Sequence, residues 1–194
     1  MKRTFATILV ALTSPLYAGS PSTGSPQLTP AKFQAVVARC APGAAFDTML
    51  AVATTESALY INAISLNRPI QVAHRFGYSH SRIELSRQPK DKDEALRWLH
   101  WFAAHGYTVS VGLMQINIEN GPRFGVRPEQ LLEPCTNITI GATLLAQIYG
   151  GALAHSNTPD QAILDALSVY NSGSYERGYT NGYVASVLRN HARK

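Results

Sequence analysis

Apolar residues recur at helical spacing along most of this chain, and clear alternation is rare. Phe33, Val36, Val37 and Cys40 follow Thr29-Pro30, a capping residue with proline at the first helical position, and predict a first helix that Pro42-Gly43 stops. Phe46, Met49, Leu50 and Ala53 continue the period in a second helix, and a further step of three reaches Glu56. That glutamate therefore sits on or beside the apolar face, near the C-terminal end of the helix, where a surface carboxylate would not normally fall. A third amphipathic helix is expected over residues 93–105, with Leu96, Leu99 and Ala103 on one side and Gly106 ending it. A fourth is expected over 136–149 through Ile140, Leu144, Leu145 and Ile148, and Pro159 opens another through Ile163, Leu164 and Leu167. Strand signals are confined to short pieces at 61–66, 70–73 and 107–111. The pattern predicts a mainly α, α+β class: one compact helical domain with a few short strands.

The N-terminus reads as an address. Met1-Lys2-Arg3 supplies positive charge, a short apolar run follows from Phe5 to Leu12, and Leu16-Tyr17-Ala18 ends in a small residue, so residues 1–18 are expected to be a signal peptide. The run is too short to span a bilayer, and no later run is long enough. Residues 19–27, rich in Ser, Pro and Gly, read as a flexible leader, because they cannot bury enough apolar area to offset their ordering entropy. The domain is expected over 28–188, with a short basic tail at 189–194. Its length suits a single core. The formal charge of +5 falls to +3 once Lys2 and Arg3 are removed, a mild excess that can favour approach to an anionic wall or simply solvate the surface. Basic clusters interleaved with aromatics are missing, which argues against nucleic acid. The two cysteines, Cys40 and Cys135, are expected to form a disulfide in an oxidising, periplasmic compartment. Neither has a Cys or His at metal-ligand spacing, and the six histidines make no metal or Ser/His/Asp case.

Three segments carry candidate chemistry: Glu56 to Ser65, with Ser57 and Asn62-Ala63 inside it; Gly112-Leu113-Met114-Gln115-Ile116-Asn117; and Tyr170-Asn171-Ser172-Gly173. In this order they resemble the active site of the soluble lytic transglycosylase-like family, which has a lysozyme-like fold and cleaves the glycan strands of peptidoglycan. The resemblance implies that Glu56 is the catalytic acid that protonates the bridging oxygen and then serves as base. It makes Gly112, Met114, Gln115 and Asn117 a cleft wall. Glycine permits close backbone approach, methionine gives an adaptable apolar surface, and the glutamine amide can bond an N-acetyl or hydroxyl group. Ser65 and Asn171 are substrate-binding candidates, and Tyr170 is expected to point its hydroxyl toward the acid. Gly182-Tyr183-Val184 resembles a further stretch of the family, with Tyr183 as a possible cleft residue. No cofactor is implied.

Most glycoside hydrolases pair two carboxylates. Here Glu84, Asp91, Asp93, Glu94, Glu129, Glu133, Asp160 and Asp165 read as solvent-facing, and Glu119 alone lies near a motif. Goose-type lysozymes, which resemble this family, have an aspartate where this chain has Asn117, and an amide cannot act as base on water. The resemblance thus favours a lytic route to a 1,6-anhydromuramic product, with a goose-type hydrolase and an inactive glycan-binding assembly subunit as alternatives. The long interval from Leu66 to Val111, with Arg82-Ile83-Glu84-Leu85-Ser86-Arg87-Gln88-Pro89 and the helix at 93–105, departs from the commonest members. It resembles the lytic transglycosylases of type IV secretion and conjugation systems, as does Pro134-Cys135-Thr136-Asn137-Ile138. Peptidoglycan and secretion-system components are the implied partners.

Overall fold

A computed structural model describes residues 26–67, 82–83 and 85–193. Helices α1 (Pro30–Cys40) and α2 (Phe46–Ser57) come first, then strands β1 (Ile64–Asn67) and β2 (Arg82–Ile83). Helix α3 (Lys92–Ala104) leads to β3 (Thr108–Val111) and β4 (Ile116–Asn117), followed by two 3-10 turns, η1 (Ile118–Phe124) and η2 (Pro128–Leu132). The chain closes with α4 (Pro134–Leu153), α5 (Pro159–Ser172), the short α6 (Arg177–Thr180) and α7 (Tyr183–Ala192). The four strands form one antiparallel sheet in the order β2-β1-β3-β4. The architecture is mainly α with a small sheet, as the periodicity predicts, and agrees with the lysozyme-like α+β fold that the resemblance implies. The first strand starts three residues later than expected, at Ile64, because residues after Glu56 are spent on a turn. The expected strand at 70–73 and Glu84 lie outside the described residues, as do the signal peptide and most of the leader.

Helix ends follow their chemistry. Thr29, Asp91 and Thr158 accept hydrogen bonds from the backbone of Lys32, Glu94 and Gln161 at the starts of α1, α3 and α5. Phe33, Met49, Val52, Leu66, Leu99, Val109, Leu113, Met114, Leu131 and Ile138 form the centre of one core, so the sheet and the helices are packed against each other. Cys40 and Cys135 are joined with their Cα atoms 5.3 Å apart, tying the end of α1 to the first turn of α4. Thr139 adds a hydrogen bond of 2.8 Å to the Cys40 carbonyl. Closing a loop of 95 residues stabilises the fold by about 4–5 kcal/mol in the chain-entropy model.

Several expectations need correction. Pro26 and Gln27 are not part of a free leader: the Ile61 N–H donates to the Pro26 carbonyl at 3.1 Å and the Gln27 amide donates to Ala58 O at 2.6 Å. At the other end, α7 runs past Leu188 to Ala192, and Asn190 donates to Thr55 Oγ1 at 2.9 Å. Glu94 and Asp165 are buried rather than solvent-facing. A bidentate Arg87 guanidinium, at 2.6 and 2.9 Å, and the Lys90 N–H hold the Glu94 carboxyl down at about 2. Burial pushes the Asp165 carboxyl up, but donors from Ser156, Tyr179 and Gln161 outweigh it and leave it below the usual range. A single-residue polarity argument cannot see these partners. Burial, and then its hydrogen bond to the Asp165 carboxylate, push the Tyr179 hydroxyl up to about 12.

The interval between β1 and β3 acts, where it is described, as a brace. Gln88 accepts from the Ile64 N–H at 2.8 Å and donates to the Ile64 carbonyl at 3.2 Å, so its amide mimics a neighbouring strand beside Ser65. Arg87 lies over the Trp98 ring at 4.9 Å while it grips Glu94, which locks Gln88 to α3.

Candidate active site

Glu56 occupies the last turn of α2, half-buried. Ser57 beside it donates to Ala53 O at 2.9 Å and Leu113 O at 2.8 Å, so the helix end is stitched to the Gly112–Gln115 turn. The chain then reverses through Ala58 and Leu59, both left-handed with φ of 48° and 63°. For residues with a Cβ this conformation costs about 1–2 kcal/mol each. It is held because Gln27 donates to Ala58 O and the Leu28 N–H donates to Leu59 O at 3.0 Å. The segment just before α1 thus fixes the turn that follows the glutamate.

A cleft of about 600 Å³ opens in front of Glu56. Of the residues expected at the site, Ser65, Gln115, Asn117, Tyr170 and Asn171 line it with Glu56. The strand register explains the floor: Ser65 pairs with Ser110, and Ser110 pairs with Asn117, so three short polar side chains form a row across β1, β3 and β4. Glu56 is the one carboxylate among the described lining residues; Glu119 is exposed and outside them. Asn117 also accepts from the Glu119 N–H at 2.9 Å, starting η1.

The second motif works differently from its expected role. Gly112 and Met114 do not line the cleft. Met114 is fully buried, in contact with Gly141 of α4, where an added Cβ would come within 2.7 Å of Met114 Cγ. Gly112, at φ 79°, faces the Asn137 side chain, where a Cβ would meet Nδ2 at 2.4 Å. The motif is a core-anchored turn that projects Gln115 into the cleft. Gln115 is itself left-handed, at φ 47°, and its amide donates to Ala63 O at 3.1 Å and Gly112 O at 2.9 Å. Both donors are thereby committed to the protein, and the Gln115 side-chain carbonyl is the group left for a ligand.

Tyr170 and Tyr183 exchange the parts read for them. The Tyr170 hydroxyl donates to Met114 O at 2.8 Å instead of to the acid. Burial, and then the nearby Glu56 charge, raise it well above the ordinary tyrosine value, so it stays a neutral donor. Tyr183, 8% exposed and outside the cleft lining, donates its hydroxyl to Glu56 Oε1 at 2.6 Å. Its place at the first turn of α7 follows from left-handed Gly182, φ 81°, and from Asn181, whose Oδ1 accepts the Tyr183 N–H at 3.0 Å. Asn181 also donates to Asn171 Oδ1 at 2.8 Å, which couples this turn to the cleft.

Sequence reasoning missed Asn137, Ser110, Asn120, Arg123 and Gln147. Asn137 is 1% exposed, and its amide serves three backbone groups: it accepts from the Met114 N–H at 2.7 Å and donates to Val111 O at 2.9 Å and Leu131 O at 2.8 Å. An amide three residues before Ile140 on the apolar stripe of α4 was the available signal. Leu144, Gln147 and Ile148, one and two turns further along α4, form the opposite cleft wall.

A helical α+β domain with one half-buried glutamate at a helix end, facing a cleft of hydroxyls and amides, is the arrangement that the resemblance to the lysozyme-like class implies. The chain belongs to the Transglycosylase SLT domain family, which matches residues 35–191. It is similar to the protein virB1 of Agrobacterium fabrum, 32% identical over 170 residues, covering 86% of this chain and 62% of that protein. The type IV secretion system protein virB1 of Brucella abortus is 30% identical over 162 residues, covering 80% of this chain and 62% of that protein. This chain therefore spans about three-fifths of the length of these curated relatives. No solved structure matches it significantly. No helix among the described residues is long and apolar enough to cross a membrane.

Proposed function

We propose that this chain is a peptidoglycan lytic transglycosylase that cleaves the β-1,4 bond between N-acetylmuramic acid and N-acetylglucosamine, with Glu56 as its single acid and base. The observation that carries the reading is Glu56 itself, half-buried, oriented by Tyr183 and alone among the described cleft-lining residues in bearing a carboxyl group. With the Tyr183 hydroxyl donated to Oε1, the acid proton is best held on Oε2, from which it passes to the bridging oxygen as the glycosidic bond breaks. The substrate's own acetamido group supports the developing positive charge at the anomeric carbon. The Glu56 carboxylate then takes the proton of the muramic 6-hydroxyl as that oxygen bonds to the anomeric carbon. The ring closes to the 1,6-anhydro product, Glu56 is reprotonated, and no water is consumed. Most glycoside hydrolases use a second carboxylate, as nucleophile or as base for water.

In this reading Ser65, Gln115, Asn117, Tyr170 and Asn171 contact or shape the sugar site, whereas Gly112 and Met114 support it from behind. The name of the Brucella abortus relative, a type IV secretion system protein, supports a place beside such a machine; in this proposal the chain opens the wall locally for a type IV secretion or conjugation machine, in the periplasm. Mass spectrometry of fragments released from purified sacculi, with Glu56→Gln as the blank, tests the chemistry. Anhydromuramic ends, lighter by one water and absent from the blank, are expected. Reducing ends would overturn the lytic route and direct the search to Glu119; a fully active Glu56→Gln protein would overturn the role of the glutamate.

A further inference from the structure

Among the described residues that line the cleft, Arg123 alone is positively charged and Glu56 alone is acidic. Arg123 is exposed, and none of the four ion pairs among the described residues includes it. The backbone that presents it is firmly built. Asn117 caps the start of η1, and Gly121 is packed so closely on the Val126 carbonyl that a Cβ would lie 2.8 Å from it. The Val126 N–H returns to Gly121 O at 3.1 Å, and Gly125, left-handed at φ 65°, closes the turn. The guanidinium lies 5.9 Å from the centre of the Phe124 ring, and Phe124 packs on the core. Arg123 is thus an exposed cation carried on a well-held turn that follows Asn117, at the β4 side of the Ser65–Ser110–Asn117 row.

Glycan hydroxyls and acetamido groups need only the amides and hydroxyls already in this cleft. A guanidinium there adds affinity for a planar anion, which it can meet with two parallel N–H donors. We propose that Arg123 binds a carboxylate of the wall polymer and so makes the cleft select carboxylate-bearing strands; this rests on the peptidoglycan reading above. Two sources share that chemistry: a carboxylate on the peptide stem, and the lactyl carboxylate that is exposed on muramic acid once the stem is removed.

The test compares the full chain in a Glu56→Gln background, with and without Arg123→Gln, for co-sedimentation with four polymers. These are native sacculi, stem-free strands prepared with an amidase, and each of the two after carbodiimide amidation of its carboxylates. The expected result is that Arg123→Gln weakens binding about tenfold or more on at least one untreated polymer, and leaves binding to its amidated form unchanged. Loss on native sacculi assigns the stem carboxylate; loss confined to stem-free strands assigns the lactyl group. Arg123→Lys should fall between, because it keeps the charge and loses the bidentate fork. The same loss on amidated polymer, or no loss on any, would overturn the role of Arg123 and leave the peptidoglycan reading intact. If the protein with Arg123 present sediments with none of the four, the peptidoglycan reading itself fails and this proposal fails with it. Arg123 is exposed, so an unchanged melting temperature is expected and checks that the variant folds.

Discussion

Replacing Asn137 by alanine should collapse the support of the second motif. Its amide satisfies three backbone groups from three different elements: the Met114 N–H, the Val111 carbonyl at the end of β3 and the Leu131 carbonyl in η2. Only one orientation of the amide satisfies a donor on one side and two acceptors on the other. Each buried group left without a partner costs about 1–3 kcal/mol, with the N–H the heaviest because carbonyls keep a second lone pair. Partial filling by water offsets some of the sum, so Asn137→Ala is expected to lose about 3–5 kcal/mol. For a chain of this size that lowers the melting temperature by roughly 6–20 °C. Urea unfolding followed by circular dichroism measures it. Asn137→Asp supplies the sharper control. It can still accept from Met114, but it turns a carboxylate oxygen toward two carbonyls, so its charged form is penalised and its folded-state pKa lies above the unfolded value of about 3.9. Stability should be closest to wild type below that unfolded value and fall as pH rises toward 7. An alanine variant within 1 kcal/mol of wild type, or an aspartate variant indifferent to pH, would refute the claim that this amide holds the turn.

Tyr183→Phe removes the hydroxyl that orients Glu56; the loss of a hydrogen bond to a carboxylate is worth about 1.5–3 kcal/mol, so turnover should fall about 10- to 150-fold with sacculus binding nearly unchanged. Equal activity would remove Tyr183 from the positioning of the acid. The Glu94 carboxyl is held down at about 2, below its ordinary value of 4.5, so the Arg87 pair contributes stability that is fully present above about 4.5 and lost as pH falls toward 2. An acid-unfolding midpoint unmoved by Glu94→Gln would contradict this. Breaking the Cys40–Cys135 bridge, by reductant or by a double serine replacement, should cost up to about 4–5 kcal/mol, measured by denaturant unfolding with and without reductant. A loss below 1 kcal/mol would mean that the bridge constrains the unfolded chain very little.

Some of this protein was legible in one dimension because it depends on short-range periodicity and capping. The helices at Pro30–Cys40, Phe46–Ser57 and Lys92–Ala104 were read within two residues at either end, and α5 was read from its proline start. Glu56 stood out because a carboxylate continued an apolar stripe. The disulfide followed from having just two cysteines in a chain that reads as exported. Met114 was misjudged because a methionine beside a glycine looks alike on a cleft wall and in a core; the close approach of Gly141 decides for the core.

What the tertiary structure alone decided are the contacts between residues far apart in the chain. Tyr183 reaches Glu56 across 127 positions, and Tyr170 reaches Met114 across 56, so no local pattern could assign which tyrosine serves the acid. The burial of Glu94 and Asp165 likewise depends on the partners that folding brings to them. Sequence determined the helices and the identity of the chemical groups, because those follow from neighbours within a turn or two. Folding determined their partners, because a hydrogen bond of 2.6 Å is set by the packing of whole elements and leaves no trace in the spacing of the residues that make it.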